Sequence, residues 1–517
     1  MTTAGGPVSA RLRALPAAIH AQRAYLLVAV PLVLVMAVVA ARGGWLADFF
    51  LHVAVVDELA RFPVHPPHPF VVGDYPSFYY TPYSLALGVL SRLTGLSAAT
   101  VLAAAGVFNL VLLVVGFWLF MRTFSRKPAA AAIGLVLLLV LWGPHPWQWS
   151  GFINLAGLPL ILPYPSTFAT ALMFLSWVLL LNAIAHPRAA PIVGIAVPAW
   201  LIVLSHPYTM ANTLLGVIAI MVAERQSVSR RLLAALGGAA LAAAALAVAW
   251  PYFPILQVPG SADSPDAIHL PLFLDLPSHV ALVAVGLPAL WWRWRRKRTD
   301  VLVVLFLLGS VPLIIGGITG HYALGRFWPV VVLPLQVATA LEVSNFLQTP
   351  RQTRSAIYAA VVALAVIVGL RGGAGGLVRV LPARAISPEL REALYIPEPI
   401  SLPMVTECVK TDDVVATNNQ TALRMLPGLG AKVVAPGYPD SFIPDETQRE
   451  SDQEALFDPT TQPAQVAEII ARYQIRWVLW DMTGPLADPQ DYRRARPLFD
   501  PYALLAPTSL MGTRKDC

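Results

Sequence analysis

The sequence predicts a mainly α fold, a polytopic transmembrane helix bundle of about 11–13 spans followed by a small extracytoplasmic α/β domain. Three observations predict it. Of 517 residues, 57% are hydrophobic and 13% charged, and mean hydropathy is +0.64, whereas soluble domains average about 25% charged residues. Apolar runs long enough to cross a bilayer recur up to residue 370. Beyond it the chain turns polar and Pro-rich, with no apolar run longer than a strand. The 36 Lys and Arg and 29 Asp and Glu are too few to clothe a water-soluble chain of this length.

A crossing needs about 20 mostly apolar residues, since each rises about 1.5 Å and every backbone group must bond within the helix. Eleven stretches qualify, some of them short: 23–41, 98–121, 129–143, 166–185, 189–204, 207–223, 232–250, 279–294, 301–318, 327–347 and 355–370. Residues 78–96 and 152–165 are apolar enough to dip into the membrane or cross it as well. The first stretch follows Arg11, Arg13 and Arg23, but its apolar core is longer than that of a cleaved signal and it reads as a retained helix.

The net charge of +7 resides in short basic clusters between the apolar runs, among them Arg293 to Arg298, Arg225 with Arg230 and Arg231, and Arg122 with Arg126 and Lys127. With a cytoplasmic N-terminus and eleven crossings, each cluster faces the cytoplasm, and Asp48, Asp57, Asp74, Asp263, Asp266 and Asp275 lie outside. This placement assigns the charge to orientation, and nucleic acid is not an expected partner. The expected organisation is a cytoplasmic segment 1–22, a membrane domain 23–370 with a first outer loop 42–77, and an extracytoplasmic α/β domain 371–517 of a multi-pass plasma-membrane protein. In that last domain 414–416, 432–435 and 476–480 read as strands and 463–473 as an amphipathic helix. Cys408 and Cys517 show neither a metal-ligand spacing nor a disulfide framework; pairing in an oxidising compartment is the alternative, and two unpaired thiols are expected.

The first outer loop concentrates the chemistry. Asp48 and His52 are four apart and share a helix face, where an acid just beyond a span meets a substrate arriving from the lipid and can act as general base toward a hydroxyl. A helix cap or a solvated interfacial acid is the ordinary alternative. Asp57 and Glu58 read as a solvated helix face. Tyr75, Tyr79 and Tyr80, in YPSFYYTPY, suit either a sugar or lipid path or an interfacial belt. His65 and His68 lie in HPPH, a spacing that does not set both rings on one helical face. His206, before Pro207, marks a helix break and serves either the freed backbone or a substrate. His321, Tyr322 and Arg326 lie in GHYALGRFWP, at an outer helix mouth. Arginine within a bilayer costs upward of about 2.5 kcal/mol at mid-depth and seldom stands there without a partner. A phosphate suits its planar fork, and a salt bridge to an acid or snorkelling is the alternative. Walker, GxGxxG, HExxH and GxSxG motifs are absent from the sequence.

Asp48 with His52 after the first span, the YPSFYYTPY approach, GHYALGRFWP with Arg326 and the terminal α/β domain together resemble the GT-C superfamily of integral-membrane glycosyltransferases, in particular poorly characterised bacterial members with a D-x-x-x-H element. The resemblance implies sugar transfer from a polyprenyl-phosphate donor to an envelope glycan or lipid acceptor on the outer face, with Asp48 as the catalytic aspartate and Arg326 steadying the donor phosphate. Tyr75, Tyr79, Tyr80, His206, His321 and Tyr322 are the further candidate substrate contacts. Many members pair two acids around a divalent cation. Here the next acids, Asp57 and Glu58, come nine and ten residues after Asp48, which leaves Mg or Mn dependence open. The Ala-, Pro- and Arg-rich composition resembles that of high-GC actinobacteria, where such enzymes serve cell wall biogenesis. Two other readings stand beside it: a transporter or flippase, expected to carry paired broken helices, and a non-catalytic envelope-assembly protein on the same scaffold.

Overall fold

Hydrocarbon offers a backbone no hydrogen-bond partner, so each crossing must be a helix that satisfies its own N–H and C=O groups. The computed structural model describes residues 7–46, 48–186, 192–260, 266–347, 353–394, 396, 402–481, 492–494 and 502–507. Among them, seven helices are long and apolar enough to cross: Gln22–Arg42, Ala98–Phe124, Pro165–Ala185, Arg230–Val248, Val301–Thr319, Tyr322–Phe346 and Ala356–Val378. The helices Asp266–Phe273 and Leu276–Arg296 form a further candidate bent by 74°, and Pro128–Val140, Gly194–Ser205 and Pro207–Ala223 are shorter apolar helices. These account for all eleven expected stretches. Leu27, Leu34, Ile318 and Leu364 stand exposed on the outward faces of their helices, as lipid contact requires. The protein is a multi-pass membrane protein.

Neither ambiguous stretch is a spanning helix. Residues 78–96 hold a 13-residue helix, Pro82–Thr94, opened by a Thr81–Ser84 capping box and closed by Gly95 in the left-handed region. Residues 152–165 hold a single short helix, Leu158–Ile161, in a buried loop. Asn154 ties that loop down: its Nδ2 donates to the carbonyls of Trp147 and Phe152 (2.7 and 3.2 Å), and its Oδ1 accepts from Gly157 N–H (2.9 Å).

The chain divides into two compact units that interleave in sequence. The first comprises Met1–Gly43, Gly106–Ala244 and Pro265–Pro397; the second comprises Gly44–Ala105, Ala245–Ser264 and Glu398–Cys517. This division differs from the single boundary expected at 371. Within the first unit the helix Thr353–Val378 runs on past 370 through Gly372 and Gly376, which lie flat against backbone. A Cβ on Gly372 would sit 1.9 Å from Pro144 O, and one on Gly376 1.9 Å from Leu155 O. The most enclosed span is Tyr322–Phe346, where Gln336, 1% exposed, donates to Leu141 O at 3.0 Å.

Among the described residues the second unit is built on five strands, β1 (Val414–Thr417), β2 (Lys432–Val433), β3 (Ile475–Asp481), β4 (Tyr492–Arg494) and β5 (Tyr502–Pro507), in the order β2-β1-β3-β5-β4. The first three are parallel, joined through helices that include Gln420–Met425 and Pro463–Tyr473, while β5 runs antiparallel to β3 and β4. The expected strand, helix and strand are all present. Residues 44–77, the expected first loop, belong to this same unit. Val71 bridges Val433 in parallel and Val433 N–H donates to Phe70 O at 2.9 Å, so the loop covers the open edge of β2. Leu51, Val55 and Leu59 of the helix Asp48–Arg61 share one core with Val415, Val433 and Leu479 of the sheet. Cys408 is disulfide-bonded rather than a free thiol; Cys517, the chain's other cysteine, lies outside the described residues, as does Asp263.

A buried ion pair fastens loop to sheet. Lys432 Nζ donates to Glu58 Oε1 (2.6 Å), His68 O (2.9 Å) and Pro69 O (3.3 Å), with the Lys432 and Glu58 side chains 6% and 3% exposed. Glu58 therefore departs from the solvated face expected for it. It follows Leu51, Ala54 and Val55 on the inward stripe of its helix, while Asp57 remains half exposed beside Arg61. Lys432→Ala, which leaves the buried Glu58 carboxylate with Arg61 alone, should destabilise this unit by about 3 kcal/mol, and Lys432→Met with Glu58→Leu should recover most of the loss, both read from thermal unfolding in detergent.

Candidate active site

Asp48 opens the helix Asp48–Arg61, so its carboxylate stands at the end that favours negative charge. Two residues of the α/β sheet region reach it. Arg424, on the helix Gln420–Met425 that follows β1, donates from Nη1 to Asp48 Oδ1 at 3.1 Å. The Tyr438 hydroxyl donates to the same Oδ1 at 2.9 Å and accepts from Arg424 Nη1 at 2.7 Å. Among the described residues Asp48 Oδ2 receives no hydrogen bond. Burial, followed by the Asp48 charge, pushes the Tyr438 phenol up to about 12, so the hydroxyl keeps its proton and donates it. Asp48 and Arg424 are partly open, their side chains 33% and 25% exposed.

His52 lies one turn along the same helix and packs edge-on against Tyr79, ring centres 6.0 Å apart. Burial brings its imidazole down from 6.5 to about 4, against the opposing pull of Asp48, so it is neutral near pH 7. Tyr79 also packs against Phe70 at 5.0 Å, and burial and the Asp48 charge raise its phenol well above the usual range. Tyr80 is corrected from a lining to a core residue: it is 2% exposed and its hydroxyl donates to Pro67 O. Tyr75 lies against His68, ring centres 6.5 Å apart. His68 is fully buried and faces Asp440, Nε2 to Oδ2 3.2 Å, whereas His65 is exposed. Nδ1 of His68 accepts from Val71 N–H at 3.2 Å, which assigns the ring proton to Nε2 and makes the pair a loop fastening.

Asp48, Asp57 and Glu58 do not present a shared metal-ligand set. Glu58 is engaged by Lys432 and Arg61, Asp57 by Arg61, and among the described residues no group of three His, Cys, Asp or Glu side chains suits a metal ion.

The membrane unit builds a second charged cluster around Arg326, in the 3-10 turn Tyr322–Phe327 that leads into the helix Trp328–Phe346. Its Nε donates to His269 Nε2 at 2.9 Å and its Nη1 to Ser150 O at 2.8 Å. Its guanidinium carbon lies 4.8 Å from the Trp149 ring centre and 5.0 Å from that of Tyr208. Aromatic faces and two hydrogen bonds thus hold a cation at a helix N-terminus, the end that already favours anions. His321 meets Asp266, Nδ1 to Oδ2 3.2 Å, with its side chain 69% exposed, and Tyr322 packs on Phe273. His206 caps the helix Pro207–Ala223, its Nδ1 accepting from Thr209 N–H at 3.2 Å.

No family model and no curated protein matches the sequence. Solved structures do match. The arabinofuranosyltransferase AftD from Mycobacteria aligns over 94% of this chain and 40% of its own, at 15% identity and a TM-score of 0.58. ArnT from Cupriavidus metallidurans, solved bound to undecaprenyl phosphate, aligns over 93% of this chain and 98% of its own, at 13% identity and 0.51. The Archaeoglobus fulgidus oligosaccharyltransferase in its apo form aligns over 88% and 69%, at 14% and 0.46. This is the GT-C fold.

On the GT-C scaffold, the residues absent from the expected set are Arg424, Tyr438 and His269. Arg424 and Tyr438 stand 376 and 390 positions from Asp48, in segments with no motif of their own, and no local spacing could have found them.

The depressed His52 value sets a pH dependence. A histidine buried as the neutral ring contributes stability fully above its ordinary 6.5, and loses it as pH falls from there toward about 4, because the unfolded chain takes the proton first. His52→Gln should therefore narrow the drop in melting temperature between pH 7.5 and about 5 relative to the wild type, measured by thermal scans in detergent.

Proposed function

We propose that the protein is a membrane glycosyltransferase that moves a sugar from a polyprenyl-phosphate donor to an envelope glycan or lipid acceptor on the outer face of the plasma membrane. The observation that carries this reading is the Asp48 carboxylate, held at one oxygen and open at the other, at the head of the first-loop helix of a GT-C fold. AftD is an arabinofuranosyltransferase and ArnT binds undecaprenyl phosphate; carried to this chain, they supply the reaction class and the donor class.

Asp48 acts as general base. It takes the proton of the acceptor hydroxyl as that oxygen bonds to the anomeric carbon, and the bond from that carbon to the donor phosphate breaks. The bonding pair leaves with the phosphate, whose charge Arg326 meets. The fixed guanidinium at a helix N-terminus supports that role. A single displacement of this kind inverts the anomeric centre. Paired broken helices would favour a transporter; among the described helices one bent pair is found.

Membranes containing the wild type should transfer radiolabelled sugar from decaprenyl-phosphate donors, and Asp48→Asn, at matched abundance, should lose about 10²-fold or more. Arg326→Gln should lower turnover by about 10²–10³-fold. Undiminished transfer by Asp48→Asn would remove the general-base assignment.

A further inference from the structure

Asp48 is a carboxylate with two chemically equivalent oxygens, and its surroundings make them unequal. Both hydrogen bonds, from Arg424 at 3.1 Å and Tyr438 at 2.9 Å, land on Oδ1. The two donors are themselves joined at 2.7 Å, so the three groups close a triangle that fixes the plane and rotation of the carboxylate. Its outer corners are anchored as well. Arg424 lies on a helix whose cap is Asn419: Oδ1 of that side chain accepts from Thr421 and Ala422 N–H at 2.9 and 2.8 Å, and its Nδ2 donates to Asp481 at the end of β3 at 2.8 Å. The turn after that helix lies against the first-loop helix so closely that a Cβ on Gly428 would stand 2.3 Å from Phe50 O.

We propose that Arg424 and Tyr438 are positioning residues of the transfer reaction, holding Oδ1 of Asp48 so that Oδ2 is the atom offered to the acceptor hydroxyl. The terminal α/β domain is then part of the catalytic apparatus rather than a separate glycan-binding module. This inference rests on the reading of Asp48 as general base. Arg424 orients the carboxylate, and the Tyr438 hydroxyl passes the guanidinium's polarisation to the same oxygen. A proton taken by Oδ2 therefore arrives on the one lone pair aimed at the acceptor. Neither partner touches the reacting atoms, and the effect of each is on turnover.

The experiment compares wild type, Asp48→Asn, Arg424→Gln, Arg424→Lys and Tyr438→Phe in membranes supplied with radiolabelled decaprenyl-phosphate sugar, with kcat and KM for the donor determined separately. Misplacement of a catalytic group by about 1 Å costs about 10²-fold, so Arg424→Gln should lose kcat on that order and Tyr438→Phe about 10-fold, with donor KM unchanged. Arg424→Lys, which restores the cation without the fork, should recover part of the loss. Should Arg424→Gln fail to accumulate, Arg424→Lys and Tyr438→Phe decide the matter, since neither removes a buried charge. Wild-type kcat in both of those variants while Asp48→Asn is inactive would overturn the positioning role and leave the general base standing. A rise in KM with kcat unchanged would equally overturn it, by making the pair a binding element. Undiminished transfer by Asp48→Asn would instead bring down the base and this inference together.

Discussion

One buried ammonium governs the organisation of the second unit. Lys432 sits on the shortest strand of the sheet, and its Nζ is surrounded by a carboxylate and two carbonyls of the first outer loop. Taking a charge out of water costs several kcal/mol unless its partners are already in place. The arrangement is therefore favourable in one register only. A slip of one residue along β2 would turn the ammonium to the opposite face and strand both Lys432 and Glu58. Hydrophobic contacts between Leu51, Val55, Val415 and Leu479 supply non-directional cohesion. The ion pair supplies direction, and with it the placement of the helix that begins at Asp48.

The membrane unit reaches definition by other means. Lipid removes the hydrophobic drive between helices, so contact relies on close approach and on polar groups that have only each other. The final span does the first through Gly372 and Gly376, whose missing side chains let its backbone rest on the carbonyls of Pro144 and Leu155. Asn154 and Gln336 do the second by bonding loop and helix carbonyls that hydrocarbon would leave unsatisfied. Arg326 follows the same economy. Its guanidinium is enclosed by Trp149 and Tyr208 and bonded to His269 and Ser150, so its direction is set by the surroundings rather than by a flexible stem.

Much of this was legible in the sequence because lipid and period-two or period-3.6 patterns act locally. Each of the eleven apolar stretches corresponds to a helix; the strands at 414, 432 and 475 follow from short apolar β-type runs and the helix 463–473 from its helical spacing. Asp48 and His52 stood out because four residues make one helical turn. The misreadings share a cause, in that partners distant in the chain override local character. Glu58 reads as solvated until Lys432, 374 residues away, is known. The last apolar stretch reads as ending at 370 until the carbonyls against which Gly372 and Gly376 pack are known. The tyrosine string suits either a ligand path or an interfacial belt by composition, and only the fold shows Tyr80 in the core and Tyr79 against His52 and Phe70.

A general base held by two donors is held in direction. A guanidinium at 3.1 Å and a phenol at 2.9 Å bond one carboxylate oxygen and leave the other. When the proton moves in concert with a leaving phosphate, much of the driving force resides in the donor rather than in the base. What the base must contribute is direction, and direction is what two donors on one oxygen provide. Arginine suits this better than lysine, because its plane is rigid and a single Nη1 can bond the carboxylate and the phenol together. Tyr438 adds a donor without a second charge, since burial keeps its proton in place. The orientation is thereby set by two bonds, of which only one brings a charge.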